Sequence, residues 1–397
     1  MCPAGSAEAA VRPARLEGDL GAERARVSDA TATLLWEACR RDPDPATLRC
    51  ALDGADPTLA IAAATDHRIG PLLWRALGRA ECRDRLGPAG ALLSATADAG
   101  VMEARLLLPR AVALAVRPLT EAGLEPVVFK GPAVAEHYPE PGLRPMDDID
   151  LLLPRADHGR ALEALGAAGW QIARPSVGHY DTLLSHPDVP TLLLELHFGL
   201  DTGWDRVTAL DPVRLWERRV PIVCAGTAAF GLPVADELVA LAAHAGKPFH
   251  GFTRLIWIAD LAMLVSDAAA RGAPVDWNAV DAAARAGRCT AVVAAALALA
   301  RRAGVETPAD SFPLPARGWR AQTLGTLLAL DWPLAYPELH RYALTYALTD
   351  SPLLRLKMLL VTLSSWHGLS VQARLRADRA RLAWRARRHS GLAPGRA

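Results

Sequence analysis

Val127-Val128-Phe129-Lys130-Gly131, followed by Arg144-Pro145-Met146-Asp147-Asp148-Ile149-Asp150-Leu151-Leu152-Leu153, is the stretch whose reading decides the fold of this chain. Successive strand side chains point to opposite faces, so Asp148 and Asp150 project together while Ile149 turns into the core. Two carboxylates on one face repel each other. Their place at the start of an apolar strand makes sense when a divalent cation compensates the charge. Ahead of them, Val127 to Phe129 reads as a first strand. Gly131-Pro132 breaks it, with Pro132 suited to the first position of a short helix through His137.

Outward from these two strands the apolar period changes. From Ala30 to Arg117 it is helical, as at Leu34, Leu35 and Ala38, with turns at Asp42-Pro43-Asp44-Pro45 and Asp56-Pro57 and a long amphipathic stretch from Leu92 to Leu119. On the other side, a helix over Arg155 to Ala168 is stopped by Gly169. Further strands are expected near Trp170 to Ala173, Leu192 to Phe198 and Val220 to Val223. Beyond Val234 the helical period returns, in segments such as Asp236 to Ala245, Leu255 to Ser266 and Trp277 to Ala286. The expected fold class is α+β, a mixed α/β core over residues 120–230 between helical lobes. An N-terminal helical region (31–119) follows an arm (1–30), and a C-terminal helical domain (231–373) precedes an arginine-rich tail (374–397).

A length of 397 residues exceeds the size at which one core usually stops growing, so several packed units are expected. With 51% apolar residues, 22% charged residues and a formal charge of +1, a globular, soluble protein is expected. Long-range electrostatics point to neither nucleic acid nor an acidic partner. The six cysteines contain no CxxC pair, which argues against structural zinc or a disulfide framework and fits a reducing cytoplasm. The acidic early residues do not read as a signal peptide, and the run Thr290 to Ala300 is too short and alanine-rich to span a bilayer. No membrane association is expected. The tryptophans, Trp36, Trp170, Trp204, Trp216 and Trp257 among them, are too scattered for a base-stacking platform.

The order of strand, glycine turn, short helix, Asp-Ile-Asp strand and later acid resembles the nucleotidyltransferase superfamily with the DNA polymerase β-like fold. More narrowly, Phe129-Lys130-Gly131, Tyr138, Arg144, Asp148-Ile149-Asp150-Leu151 and Glu195-Leu196-His197 are similar to a family of uncharacterised bacterial nucleotidyltransferases. His244, Arg254-Leu255, Trp257 and Asp260 resemble the helical segment that follows that core, so the likeness covers about residues 100–265. It implies a small polymerase β-like sheet, a turn that cradles the phosphates of a nucleoside triphosphate, and Mg2+, as one or two ions with Mn2+ as an alternative, on the acid-hydrophobic-acid strand. One departure stands out. The wider superfamily usually carries Gly-Gly or Gly-Ser followed by Ser or Thr, where this chain has Lys130, Gly131 and Pro132.

For such chemistry Asp148, Asp150 and Glu195 are the expected catalytic and metal-ligating residues, Glu195 alternatively accepting the proton of the attacking hydroxyl. Lys130 adds a point charge and Gly131 lets the backbone approach the phosphates. Arg144 either pairs with a phosphate or neutralises Asp147. His197 shares a strand face with Glu195 and either orients the acid, contacts substrate or serves as a hydrogen-bonded structural histidine. His244, Lys247 and Arg254 are candidates to close over the nucleotide, against the plainer reading of a salt bridge from Arg254 or a neighbour to Asp260.

The leading expectation is Mg2+-dependent transfer of an NMP group, AMP foremost, from an NTP to a hydroxyl of a small molecule, peptide or protein. One alternative is a nucleotide-binding pseudoenzyme or toxin-antitoxin-like partner, which the intact Asp148, Asp150 and Glu195 count against. Another is an RNA-interacting protein using the arginine-rich tail, although the plainer reading of that tail is a solvated helix face. No basic duplex-binding cleft is evident, so templated polymerisation and nucleic acid as a partner are not expected.

Overall fold

The computed structural model describes residues 28–176, 179–201, 208–248, 250–308, 312–314, 317–329 and 338–364. The arm read over residues 1–30 lies outside these except for its last three residues, and the arginine-rich tail lies outside them altogether. Ser28 caps the helix Asp29–Ala38 by accepting from the Thr31 N–H.

Seven strands build one sheet: β1 (Val127–Val128), β2 (Asp148–Leu152), β3 (Gln171–Arg174), β4 (Asp181–Ser185), β5 (Leu193–His197), β6 (Val220–Cys224) and β7 (Thr227–Gly231). Their order is β3-β4-β5-β2-β1-β7-β6. β2 runs parallel to β5 and β1 parallel to β7, and the remaining neighbours are antiparallel. The mixed α/β core with extensive flanking helices is therefore present, as a polymerase β-like fold requires.

Side-chain alternation sorts the sheet into two faces. Val128, Ile149, Leu151, Leu194 and Leu196 enter one core with the helices Leu108–Glu121 and His158–Ala167. Val127, Phe129 and Leu152 join a small cluster of the opposite face with Leu215, Leu232 and Ala240. On β2 and β5 that second face carries Asp148, Asp150, Glu195 and His197, so the period of two places the acids away from the main sheet core. A third and larger cluster unites the two ends of the chain, Leu34, Leu72 and Leu77 packing with Leu238, Ile258 and Leu297.

Several local features differ from the sequence reading for identifiable reasons. The Asp-Pro pairs start helices as well as turns: Asp44 and Asp56 accept from the following backbone N–H groups, and Pro45 and Pro57 occupy the first turn. The stretch from Leu92 to Leu119 is two helices, Gly90–Met102 and Leu108–Glu121, separated by a π-helical turn over Glu103–Leu107. Pro109 has no N–H to donate back into that turn, which disrupts the regular ladder there. Neither β4 nor β7 was expected. β4 opens on buried Asp181 and Thr182, with Arg174 paired to Asp181, and β7 is mostly small residues. β7 joins β6 through Ala225 and Gly226, both at positive φ (47° and 75°), a turn without the usual Asn-Gly signal. No helix among the described residues is long and apolar enough to cross a membrane.

Candidate functional site

The parallel pairing of β2 with β5 sets Asp150 opposite Glu195 and Leu152 opposite His197. Asp150 is buried, and its Oδ1 accepts from Lys130 Nζ at 2.7 Å and from His197 Nε2 at 2.8 Å. His197 Nε2 also lies 3.2 Å from Glu195 Oε2. Ligand atoms of Asp150, Glu195 and His197 thus fall within 4.8 Å of one another. Two carboxylates and an imidazole in that space form a candidate divalent-cation site. Asp148 stands outside that tight trio but faces the same cavity, of about 260 Å3, as Asp150, Glu195, Lys130 and Gly131.

The turn between β1 and β2 crosses this face closely. A Cβ on Gly131 would stand 3.4 Å from the Asp148 carbonyl oxygen and 3.8 Å from Asp150 Oδ2. Lys130 has φ 56° and ψ −143°, a conformation natural to glycine, and its N–H donates at 2.7 Å to Oε1 of Glu237. Glu237 is itself buried, on the helix Val234–Ala245.

Charge around this cavity is distributed unevenly. Burial, reinforced by the charges of Asp150 and Glu195, pushes the Asp148 carboxyl up to about 6. For Asp150 burial acts the same way but is outweighed by Lys130 and His197, which hold it below the usual carboxylate range. Burial disfavours charge on Lys130 and on His197 too, yet in both the neighbouring acids prevail and raise the pKa. Burial carries Glu237 up to about 7.

The far wall of the cavity comes from the loop before β2 and from the later helices. Arg144 lines the cavity there and does not neutralise Asp147, as one sequence reading had it, but donates through Nε and Nη2 to both oxygens of Asp260, at 2.8 and 2.9 Å. Tyr138 Oη donates to the same carboxylate at 2.7 Å, and Asp147 is taken by Arg68. A buried acid with two well-placed donors explains the choice, since an exposed Asp147 offers less. Arg254 is accordingly not the partner of Asp260. It lies beside the Trp257 ring at 5.9 Å and lines the cavity. His244 is half-buried beside His250 and Trp257, ring centroids at 4.4 and 5.9 Å, and desolvation lowers its pKa well below the ordinary value. Lys247 donates to Tyr180 Oη at 3.2 Å, and Tyr180 stacks on His197 at 5.6 Å.

Sequence reasoning missed Tyr180, Glu237 and His250. Tyr180 immediately precedes β4, a strand the pattern concealed, and Glu237 sits in the first turn of a helix, where an acid is unremarked because the helix dipole favours it. His250 carried no signal at helical spacing.

Residues 53–303, well over half of the chain, match the family described as an uncharacterised nucleotidyltransferase, and the chain belongs to that family. No curated protein and no solved structure matches it. Family and acid-histidine cluster together mark a catalytic nucleotidyltransferase.

Proposed function

With that membership as premise, we propose that the protein transfers an NMP group, AMP foremost, from an NTP to a hydroxyl of a small-molecule, peptide or protein acceptor. The observation that carries this reading is the register of β2 on β5, which sets Asp150 and Glu195 side by side with Asp148 on one polar cavity under the Gly131 turn. Asp148, Asp150 and Glu195 would hold Mg2+ or Mn2+, with His197 beside them. When bound, the ion supplies charge stabilisation at the entering and leaving oxygens.

The chain's own groups account for the rest. Lys130 and the exposed Arg254 offer positive charge to the triphosphate, and the close-lying Gly131 leaves room for phosphate oxygens against the backbone. His244 shapes the side of the cavity towards the later helices, and Lys247 holds the lining residue Tyr180 by donating to its hydroxyl. The acceptor oxygen forms a bond to the α-phosphorus as the bond to the α–β bridging oxygen breaks, pyrophosphate leaving with that electron pair. Glu195, half-buried at the cavity wall, receives the hydroxyl proton.

The test is label transfer from each α-labelled NTP, with Mg2+ and a panel of hydroxyl acceptors. Asp148→Ala and Asp150→Ala are expected to abolish transfer while leaving the circular dichroism spectrum intact. Unchanged transfer in either would remove that residue from the metal site.

A further inference from the structure

Lys130 holds a side chain where the backbone favours none. Its φ of 56° and ψ of −143° are strained for a non-glycine residue and persist only where surroundings over-determine the conformation. Three contacts do so here. The N–H is bound by buried Glu237, Nζ lies 4.7 Å over the Phe129 ring, and Nζ donates to Asp150 Oδ1 at 2.7 Å. Only 11% of the lysine side chain and 6% of the aspartate side chain are exposed, so this is a desolvated pair rather than a surface contact.

The pair determines what Asp150 can still bind. Both Lys130 Nζ and His197 Nε2 donate to Oδ1, at 2.7 and 2.8 Å, which occupies the lone pairs of that oxygen. Oδ2 remains, the atom turned towards Gly131. A carboxylate shared by two metal ions about 3.5–4 Å apart needs an oxygen for each. Here one is committed to an ammonium. Asp148, by contrast, lines the cavity and makes no ion pair among the described residues. Charge on the cavity wall points the same way: the carboxylates Asp147, Asp148, Asp150, Glu195 and Asp260 face the cations Arg68, Lys130, Arg144 and Arg254, which leaves a single negative charge for a bound cation to compensate.

We propose that Lys130 takes the place of a second divalent cation. The site then binds one ion, through Asp148, Oδ2 of Asp150 and Glu195, while the lysine ammonium neutralises Oδ1 of Asp150 and meets an oxygen of the triphosphate. This rests on the metal-dependent transfer proposed above and narrows it to a single-ion site.

Crystals of the full chain soaked with Mn2+ and inorganic triphosphate, a probe independent of base identity, test it by anomalous scattering. One manganese peak beside Asp148 and Asp150, with Lys130 Nζ still on Asp150, is expected. Lys130→Gly suits the positive φ and removes the ammonium, and Lys130→Met keeps the chain length without charge. A second peak beside Asp150 is expected in whichever variant crystallises, and the Mn2+ stoichiometry by electron paramagnetic resonance should rise from one to two. Two peaks in the unaltered chain overturn the proposal, as does a single peak that stays single in the variants. No peak at the carboxylates in any of them overturns the metal-dependent reading itself.

Discussion

Arg144 and Asp260 form a two-pronged ion pair, Nε to Oδ1 at 2.8 Å and Nη2 to Oδ2 at 2.9 Å, between the loop feeding β2 and the helix Leu255–Ala270. Only 1% of the Asp260 side chain and 12% of the Arg144 side chain are exposed. Removing one partner strands the other's charge in a dry setting, so Asp260→Asn is expected to cost about 3–5 kcal/mol in urea unfolding. Tyr138→Phe, which removes one hydrogen bond to the same carboxylate, should cost about 1.5–3 kcal/mol. Equal small effects from both variants would mean that the pair does not join the two parts of the fold.

Asp148 should weaken the metal-free protein. Its carboxyl is pushed up to about 6, above the unfolded value, so as pH rises through that window the unfolded chain releases a proton that the folded chain keeps. Stability therefore falls with rising pH until Asp148 is ionised in both states. In chelator at pH 7.5, Asp148→Asn is expected to be more stable than the parent by roughly 2 kcal/mol, the gap shrinking towards pH 4. Thermal unfolding across that range checks it; a destabilised variant at pH 7.5 would show that the carboxylate is already compensated.

The sequence revealed the parts of this architecture that depend on short-range periodicity. Ile149 between two aspartates, and the run from Leu192 to Leu196, set the faces of β2 and β5 without knowledge of their neighbours. Which strands adjoin was not legible: that Asp150 lies opposite Glu195 depends on a parallel pairing between segments forty-odd residues apart. Partner choice among charges was equally hidden. Arg144 was read against a phosphate or the neighbouring Asp147, and the structure supplies a protein partner, Asp260, from a distant helix. Glu237 was invisible because its role is to accept from a backbone N–H, which leaves no trace in residue type at Lys130.

Glu237 is expected to carry a separate pH signature. Burial brings its pKa up to about 7, and Oε1 accepts from Lys130 N–H while Oε2 has no partner among the described residues. The folded chain holds this proton while the unfolded chain loses it, so the carboxyl lowers stability progressively as pH rises from about 4.5 to 7. Glu237→Gln retains an acceptor oxygen and does not ionise. It should match the parent near pH 4 and exceed it by roughly 2–3 kcal/mol at pH 8, as read by denaturant unfolding. A loss at pH 8 would mean that the ionised carboxylate is needed to hold the Lys130 turn.

His197 separates two roles that its position combines. Its Nε2 faces both Asp150 and Glu195, whereas its ring packs against Phe129 at 5.3 Å and Tyr180 at 5.6 Å. If the hydrogen bond matters most, the ion loses affinity when the donor is removed, because the two acids then repel and Asp150 loses one of its orienting partners. If packing matters most, the ring is what must be kept. His197→Phe keeps an aromatic ring and removes the donor, and should weaken Mn2+ binding about 10–100-fold. His197→Gln keeps a donor amide and loses the ring, and should weaken it less than about tenfold while lowering the unfolding temperature more. Calorimetric Mn2+ titrations of both variants decide the order. The reverse order would assign His197 to packing and leave Asp150 oriented by Lys130 alone.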